Sequence, residues 1–451
     1  MVVVAKEQLK ELEMLNAKKS KVIIFVKWRY PFYTKLENFQ KTDDCALIGV
    51  FAEEIRSQLF DGYEHHFDQI IWFHADYTNI DNAYSDYGQV EVPILDQIIS
   101  QIVEKVSNEK IRLLESEEVL IDVLCRIRAE HSIPGAKPGD LNYLRDKAQL
   151  KQACKRLNIP TARFVILDFK QNKLIDELIK EVEHEIGVYP MFRKPIRGFG
   201  SGGSGDIKNT DELKKWLIEM SGQEAVFLIE ECINKLEFWT TTVLLPNGSW
   251  KAMFNLNCGH KTTNERLDAG LPIPFIGERI EDCAEEFPDL LEFVSDVIKK
   301  LKPMHPHIFC VQGFQLEPKT NKYLFTECGY RLNGARGSSI SYRCSGISQE
   351  TAFISSYMDP NYVPKADPTP FTNSIWYPYQ IGTLKSHKEL PGDSPVKSRL
   401  QFKWLVPVGT KLFKAESYNH FVVSVMIEHE DASVVKKDLE YLLNNWRPEI
   451  C

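Results

Sequence analysis

The sequence lacks the closely spaced cysteines that hold zinc clusters and disulfide frameworks. Its ten cysteines are spread along 451 residues, and no two of them form a Cys-x-x-Cys pair. Such pairs supply ligands to many zinc sites, and dense cysteine patterns staple small secreted domains. Two histidine pairs, His65-His66 and His305-x-His307, also stand without further closely spaced ligands. We therefore expect buried thiols, and histidines with packing or surface roles, rather than a metal cluster.

Long apolar runs and blocks of positive charge are also absent. The apolar start from Met1 to Ala5 gives way to Lys6 and Glu7, so it is too short for a signal peptide or a membrane span. The formal net charge is -8, and no lysine- and arginine-rich run recurs that would neutralise a series of nucleic-acid phosphates. The sequence thus predicts a cytoplasmic protein that binds neither nucleic acid nor a membrane.

What is present is the composition of an ordinary folded protein, with 43% hydrophobic and 26% charged residues. A chain of 451 residues is too long for one compact core and suggests about two to four domains. Short apolar strands alternating with helical patterns predict an open α/β domain at 1–140. Hairpins and helices predict α+β architecture in a unit at 141–346 and in a C-terminal extension at 347–451.

Individual elements follow from the periodicity and the turn residues. The predicted strands are 22–26, 46–51, 67–73, 163–167, 189–195, 225–231, 237–245, 249–257, 308–316, 323–328, 400–405 and 421–427. The predicted helices are 94–106, 144–157, 173–185, 290–301 and 432–443.

A glycine-rich segment follows one predicted strand. From Lys194 to Gly205 the sequence reads Lys-Pro-Ile-Arg-Gly-Phe-Gly-Ser-Gly-Gly-Ser-Gly. Glycine lets backbone N–H groups approach phosphate oxygens closely, because no Cβ blocks the way. The segment is not a Walker A loop, since its lysine precedes the glycines, and no helix begins at once as in a dinucleotide-binding fingerprint. A flap over phosphates and a surface linker both fit the segment taken alone.

Carboxylates stand at and after the end of the next strand. Glu230 and Glu231 follow an apolar run, and Glu237 comes seven residues after Glu230. Backbone groups near such a pair can contact an adenine edge, and a carboxylate can accept hydrogen bonds from ribose hydroxyls. Acidic strand ends are also commonly just solvated. The pattern alone leaves both interpretations open.

A further carboxylate ends the strand predicted at 323–328. Glu327 stands where a hard cation such as Mg²⁺, bound to nucleotide phosphates, commonly finds its carboxylate ligand. Arg331, four residues later, offers a planar fork for a phosphate or a carboxylate. Taken alone, the two residues also fit an ordinary structural Glu-Arg pair at a strand exit.

In this order the segments resemble the signature of the ATP-grasp superfamily. Asp146-Lys147 before a helix comes first, and the glycine-rich, acidic and Glu-x-x-x-Arg segments follow. Over nearly its whole length the chain is similar to carboxylate-amine ligases such as D-alanine ligases, biotin carboxylase and enzymes of the carnosine-synthase type. The resemblance implies an ATP-grasp fold of two α+β subdomains at 141–346, with a flap subdomain at about 160–230.

The resemblance also implies roles for individual residues and the cofactors ATP and Mg²⁺, with Mn²⁺ as an alternative metal. The implied nucleotide-binding residues are Lys147 and Lys194 at the phosphates, Gly198, Gly200, Ser201 and Gly203 in the flap, Glu230, Glu231 and the backbone near Ile233 at the adenine hinge, and Glu237 at the ribose. Glu327 is the implied metal ligand. Arg331 and Lys194 are the implied catalytic residues, because fixed positive charge in a dry site stabilises developing negative charge.

The chain departs from the family's metal site in two places. Gly329 stands where the family usually has asparagine, two residues after Glu327. Counting back through the hairpin, the partner carboxylate falls at Gly313, with Gln312 beside it and Gln315 on the same face as Gly313. Gln312 and Gln315 are therefore the candidate replacement ligands.

Two functions of different classes follow. The leading hypothesis is a ligase that phosphorylates a small carboxylate with ATP and joins it to an amine, with amino acids among the candidate substrates. The alternative is a non-catalytic nucleotide-binding regulatory protein that kept the clamp but lost metal ligands. We expect the substrates to bind between the N-terminal domain and the segments 259–275 and 331–339, where Arg331 and Arg336 favour an anionic neighbour. A homodimer is the expected assembly, since it is the commonest one.

Overall fold

The computed structural model describes residues 4–32, 34–75, 92–171, 173–197, 203–257, 262–279, 282–332, 337–366, 369–416 and 420–451, and for 250–257 the backbone alone. Among these residues, no helix is both long and apolar enough to cross a membrane.

An open parallel sheet forms the N-terminal part of the chain. Its strands are β1 (Lys21–Lys27), β2 (Cys45–Ala52), β3 (Gln69–Phe73) and β4 (Ile111–Glu115), in the spatial order β3-β2-β1-β4. The helices of this part are α1 (Lys6–Lys18), α2 (Pro93–Val103) and α3 (Leu120–Glu130). Parallel sheets are usually covered on both faces, which explains why β1 and β2 are apolar without alternation. One face packs against these helices, and the other packs against Phe353 and Ile354 from a later helix.

Two short helices lead into the second part of the chain, α4 (Asn142–Arg145) and α5 (Lys147–Arg156). The sequence predicted one continuous helix here. The break falls at Asp146, whose backbone is extended and whose Oδ1 accepts from the N–H groups of Ala148 at 2.9 Å and Gln149 at 3.0 Å. Asp146 therefore caps α5, and the cap fixes Lys147 as the first helical residue.

A small antiparallel sheet comes next. Its strands are β5 (Phe164–Asp168), β6 (Met191–Pro195), β7 (Gly205–Ile207) and β8 (Val226–Glu231), in the order β5-β8-β6-β7. Two helices, α6 (Ile175–Ile186) and α7 (Thr210–Met220), cover one face of it and share its core. The opposite face carries Lys194 and Glu230, which is why polar side chains interrupt the apolar pattern of these strands.

A large antiparallel sheet of eight strands contains most of the remaining chain. The strands of this part are β9 (Leu236–Leu244), β10 (Trp250–Asn257), β11 (Ile273–Arg279), β12 (His307–Gln315), β13 (Tyr323–Gly329), β14 (Phe371–Pro378), β15 (Gly382–Thr383), β16 (Arg399–Trp404), β17 (Lys411–Leu412) and β18 (Phe421–His429). The order in the large sheet is β13-β12-β9-β10-β11-β14-β18-β16, while β15 and β17 pair separately. The sheet continues across the predicted boundary at 346, and the domain boundaries stay predictions.

Helices flank this sheet and link it to the N-terminal part. They are α8 (Thr263–Asp268), α9 (Leu290–Leu301), α10 (Gly337–Ser345), α11 (Gln349–Met358) and α12 (Ala432–Asn445). Helix α10 lies close against β11, where a Cβ on Gly277 would stand 2.4 Å from Ile340 Cγ2. Helix α11 supplies Phe353 and Ile354 to the N-terminal sheet. Its Glu350 pairs with the fully buried Lys27 at the end of β1, which ties the two parts together.

Candidate active site

A cavity of 1090 Å³ is lined by residues of the small and the large antiparallel sheets and of the segments that follow β1 and β4 of the N-terminal sheet. Glu117 after β4, Lys194 on β6 and Glu327 on β13 all face it. Pockets that hold one drug-sized ligand occupy roughly 300–1,000 Å³. The cavity therefore has room for more than one small molecule.

Two buried lysines enclose one carboxylate in the lining of the cavity. Lys151 Nζ lies 2.5 Å from Glu230 Oε1, and Lys194 Nζ contacts Glu230 Oε2. All three residues are at most 6% exposed. Burial alone would raise the pKa of Glu230, but the two lysines hold it at about 2, so the side chain is ionised at neutral pH. Glu230 thus acts as the counterion of the lysines. We call these three residues the lysine cage.

Lys151 is a site residue that the sequence reasoning missed. It lies four residues after Lys147 on α5, and residues four apart share one helix face. This four-residue spacing was the feature of the sequence from which Lys151 could have been predicted as a site residue. Lys151 also donates a hydrogen bond to Thr161 Oγ1, which fixes its ammonium group beside Glu230.

Lys147 lines the cavity next to the cage. Its backbone N–H donates to the carbonyl of Ile196 at 2.8 Å, so the start of α5 is attached to the chain just before the glycine-rich segment. Burial lowers the pKa of Lys147, and Glu327 partly offsets this effect. For Lys194, burial also lowers the pKa, but Glu230 and Glu327 raise it above its ordinary value. Glu327 therefore lies within electrostatic reach of both lysines.

Only one of the predicted flap residues can be placed. Gly198, Gly200 and Ser201 lie outside the described residues, as does Arg336. Gly203 is exposed with a φ of +70°, a conformation that favours glycine, and its carbonyl accepts from Arg193 Nη1 at 3.2 Å.

The predicted adenine hinge and ribose carboxylate border the cavity. Glu231, Ile233 and Glu237 are all among the lining residues, and the Glu231 carboxylate is held by Arg163 Nε at 3.0 Å. Glu237 Oε2 accepts from the N–H of Thr263 at 3.1 Å and from its Oγ1 at 3.2 Å, at the first residue of α8. Burial raises the pKa of Glu237 to about 7 despite these hydrogen bonds.

Two of the predicted metal residues, Glu327 and Gln312, face each other in the same cavity. Glu327 on β13 pairs with Gln312 on β12, and a bulge separates Gln312 from Gly313. With its amide oriented to satisfy both neighbours, Gln312 donates to Glu327 Oε1 at 3.0 Å and accepts from Arg331 Nη2 at 2.9 Å. Glu327, Gln312 and Arg331 thus form one hydrogen-bonded group beside the lysines.

Two expectations about this hairpin were wrong. Gly313 is no substitute position for a metal ligand, because a Cβ there would lie 2.2 Å from the carbonyl oxygen of Leu324 and 2.6 Å from the Phe238 ring. Gln315 lies on the same face as Gly313, and its amide nitrogen donates to the carbonyls of Glu286 and Thr320, both at 2.8 Å. Gln315 therefore holds the end of the hairpin rather than a metal. The bulge turns Gln312 alone toward Glu327.

Arg331 is held by carboxylates from the N-terminal part. Its Nε lies 3.0 Å from Glu118 Oε2, and Glu118 also pairs with Arg145 Nη1 at 2.9 Å. Arg145 pairs in turn with Asp122 at 3.0 Å. Burial raises the pKa of Glu118, but Arg331 and Arg145 hold it below its ordinary value. Burial lowers the pKa of Arg331, but Cys310 and the nearby carboxylates raise it, so the guanidinium stays charged.

The loop after β1 is a second feature that the sequence reasoning missed. Glu117 Oε1 accepts from the backbone N–H groups of Trp28 at 2.7 Å and Arg29 at 3.1 Å, and this fixes the loop at the edge of the cavity. Arg29 and Tyr30 line the cavity there. The sequence did contain a signal for this loop, namely its position directly after β1, because open parallel sheets bind ligands at the carboxyl ends of their strands.

Comparison with known proteins gives a fold but no sequence family. No protein-family model matches the chain, and no curated protein is significantly similar to it in sequence. Its structure nevertheless matches the ATP-grasp fold of carboxylate-amine ligases along nearly the whole chain. This likeness confirms the predicted fold class.

Three solved structures illustrate the match. An L-amino acid ligase from Bacillus licheniformis has a TM-score of 0.66 at 12% identity, covering 96% of this chain and 100% of that chain. A biotin carboxylase from Campylobacter jejuni, solved as a β,γ-ATP complex, has a TM-score of 0.57 at 16% identity, covering 95% and 96%. The biotin carboxylase domain dimer of 2-oxoglutarate carboxylase from Hydrogenobacter thermophilus, solved with MgADP, ADP and bicarbonate, has a TM-score of 0.57 at 14% identity, covering 95% and 90%. At such identities the likeness establishes the fold.

Proposed function

We propose that this protein is an ATP-dependent ligase that joins a small carboxylate to an amine. The terminal phosphoryl group of ATP is transferred to a carboxylate oxygen, and ADP leaves. The amine nitrogen then attacks the acyl-phosphate carbon, loses a proton, and releases phosphate as the amide bond forms. The L-amino acid ligase fold and the cavity residues support this proposal.

One observation carries the proposal. The same cavity is lined by lysines that suit phosphates and by a carboxylate that suits a metal. This carboxylate, Glu327, acts to raise the pKa of both Lys147 and Lys194. Several negative phosphates need concentrated positive charge, and a Mg²⁺ ion bound to phosphates needs one or two carboxylates. The presence of both kinds of residue in the lining of one cavity supports the proposal.

The residues also fit MgATP in their chemistry. Lys147, Lys151 and Lys194 would contact the phosphates, Glu237 the ribose hydroxyls, and the backbone near Ile233 the adenine. Both of the predicted nucleotide lysines line the cavity, and Glu237 accepts hydrogen bonds from Thr263 through its Oε2. The structures of the biotin carboxylases hold an ATP complex and MgADP, which supports the same cofactors here.

Glu327 and Gln312 would hold the metal, which is Mg²⁺ or alternatively Mn²⁺. Two ligand oxygens around an octahedral Mg²⁺ lie about 3 Å apart, given metal–oxygen distances of about 2.1 Å. The Gln312 amide lies 3.0 Å from Glu327 Oε1. A half-turn of this amide would therefore present its carbonyl oxygen to the metal. It would also end the hydrogen bond that Gln312 accepts from Arg331.

Arg331 is the proposed catalytic residue, together with Lys194. Its guanidinium is held in place by Glu118 and keeps its charge in the cavity wall. When bound, MgATP supplies the phosphoryl group, and the protein mainly positions the reactants. A fixed cation beside the reacting carboxylate stabilises the negative charge that develops on its oxygens.

The alternative is a nucleotide-binding regulatory protein without turnover. The observation that favours it is the thinned metal site, because Gly329 carries no side-chain ligand and Gln312 replaces a carboxylate. Glutamine and water oxygens can still complete a magnesium shell. The complete lysine cage and the held arginine favour catalysis.

An assay of ADP, AMP and phosphate release over a panel of amino acids and small carboxylates tests the proposal. The expected products are ADP and phosphate, formed only when both a carboxylate and an amine are present. AMP and pyrophosphate would indicate adenylation and would contradict the acyl-phosphate route. Tight ATP binding without turnover across the whole panel would favour the regulatory alternative.

Two further expectations belong to this proposal. Each of the nine cysteines that the structure describes is a free thiol, which supports a reducing compartment such as the cytoplasm. A homodimer stays a prediction, supported by the dimer of the Hydrogenobacter thermophilus domain.

A further inference from the structure

We propose that the cavity binds a substrate with a large aromatic side chain against four rings, Trp239, Phe275, Trp376 and Phe421, called here the aromatic wall. All four rings line the same cavity as the lysine cage and Glu327. The proposal rests on the proposed ligase function, because it names the class of molecule that the ligase joins.

The four rings form one continuous surface on the large sheet. Trp239 and Phe275 have ring centroids 5.6 Å apart, Phe275 and Trp376 are 6.4 Å apart, and Trp376 and Phe421 are 5.0 Å apart. Aromatic rings at 4.5–7 Å attract one another in tilted and edge-on arrangements. A further aromatic ring from a ligand would extend the same pattern.

The wall begins next to the reacting groups. Trp239 on β9 pairs directly with Gln312 on β12, and Gln312 contacts both Glu327 and Arg331. Neighbouring strands lie about 4.8 Å apart. A substrate with its carboxylate near Arg331 can therefore lay its side chain along the wall without leaving the cavity.

The wall is more than a part of the hydrophobic core. Phe275 and Phe421 are each 2% exposed and packed in a core cluster, whereas Trp239 and Trp376 are only half-buried. Apolar surface that a protein leaves inside a cavity commonly marks a ligand-binding site. The two tryptophans are thus the rings whose surfaces a ligand would cover.

The wall lies apart from the predicted base-binding segment. The hinge residue Glu231 ends β8 of the small sheet and Ile233 follows it, whereas the wall crosses the large sheet from β9 to β18. Lys403 on β16 and Leu405 directly after this strand also line the cavity, and both side chains are exposed. An adenine ring at the hinge therefore leaves the wall for a second molecule.

The chemical class follows from these neighbours. The ligand carries a carboxylate or an amine that reaches the Arg331 group and an aromatic ring that covers Trp239 and Trp376. Phenylalanine and tryptophan have this form, while alanine, aspartate and lysine lack the ring. The expected discrimination in kcat/KM between phenylalanine and alanine is at least about tenfold, since a filled apolar pocket distinguishes substrates by roughly 10- to 200-fold for each methylene.

The experiment compares ADP release by the full-length wild-type protein with L-phenylalanine, L-tryptophan, L-alanine, L-aspartate and L-lysine, each as the carboxylate and as the amine. Trp376→Ala should lower kcat/KM for the aromatic substrates by about tenfold or more and change that for alanine much less. Phe413→Ala is the matched control, because Phe413 is 49% exposed and is not among the described lining residues. It should leave all substrates unaffected.

A second measurement needs neither turnover nor a variant. Binding of L-phenylalanine to the wild-type protein, with a non-hydrolysable ATP analogue and Mg²⁺ present, should quench or shift tryptophan fluorescence more than L-alanine does. If L-phenylalanine binds but no substrate supports ADP release, the aromatic-wall proposal would stand and the proposed ligase function would be contradicted. If ADP release is instead fastest with small or charged substrates, and Trp376→Ala leaves its kcat/KM unchanged, the ligase function would stand and the aromatic-wall proposal would be wrong. Absence of both aromatic binding and turnover would overturn the wall as well.

Discussion

Two groups of charged residues in the cavity differ in how their charges are paired, and they are called here the phosphate end (Lys151, Lys194 and Glu230) and the metal end (Glu327, Gln312 and Arg331). At the phosphate end, Lys151 and Lys194 share the buried Glu230, so each charge there has a close partner. At the metal end, Glu327 faces an amide rather than a second carboxylate, and Gly329 adds no ligand. Nucleotide binding should therefore be less sensitive to changes at the metal end than turnover is. The predictions below test this separation.

The largest effect is expected from Glu230→Ala. Removing this carboxylate leaves two lysines buried without their counterion, and breaking a buried ion pair costs about 3–5 kcal/mol. Urea unfolding should show a loss of this size in the free energy of unfolding. Glu231→Ala is the neighbouring control, since its half-exposed pair with Arg163 is worth about 1 kcal/mol or less. Equal losses in the two variants would contradict the lysine cage.

Glu327→Gln should separate turnover from nucleotide binding. The change keeps the shape of the side chain but removes the charge that holds the metal. A metal that polarises a phosphoryl oxygen is worth several kcal/mol, so kcat should fall by roughly a hundredfold or more. ATP affinity, measured by calorimetry, should change much less. A variant with full turnover would show that Glu327 is no metal ligand.

Lys147→Ala and Lys194→Ala should weaken nucleotide binding at the other end. A charge-assisted contact is worth about 1.5–3 kcal/mol, which is roughly a ten- to hundredfold change in affinity. Calorimetric titration with ATP measures this directly. Lys155→Ala serves as a control, because Lys155 lies in the last turn of the same helix and outside the described lining residues. Parental affinity in both cavity variants would refute the phosphate assignment.

The smallest effect should come from Gly329→Asn, which restores a side-chain oxygen at the metal end. The nearest neighbours of a Cβ there are Arg331 Cγ and Nε at 3.7 Å, so the position has room. We expect Mg²⁺ dependence to tighten by up to about tenfold, since one added ligand contributes on the order of 1 kcal/mol. Gly329→Ala controls for volume and should not tighten it. If Gly329→Asn weakens Mg²⁺ binding while Gly329→Ala does not, the metal does not bind next to residue 329.

Gly313 gives the contrasting outcome on the opposite side of the hairpin. Any side chain there meets the Leu324 carbonyl and the Phe238 ring, so Gly313→Asn should destabilise the fold without improving metal binding. Sequence counting alone placed the missing carboxylate at this residue. The bulge between Gln312 and Gly313 decides the register.

The parts that the sequence predicted well share one property. Strands β1, β8 and β13 are specified by local patterns of apolar and turn residues. The partners of the functional groups are set by tertiary structure instead. Neither the pairing of Glu230 with two lysines nor the meeting of Glu118 with Arg331 leaves a local trace. The aromatic wall was missed for the same reason, because its rings come from four separate strands.

The transfer of oxygen from carboxylate to phosphate tests the central claim most directly. The carboxylate that supports the fastest ADP release is labelled with ¹⁸O in both oxygens, and the products are examined by mass spectrometry. The account predicts one ¹⁸O atom in the released phosphate, because the carboxylate oxygen attacks the terminal phosphorus and stays with it when the amine displaces the phosphate. Label in AMP, or phosphate that carries no label, would contradict an acyl-phosphate intermediate and with it the proposed function.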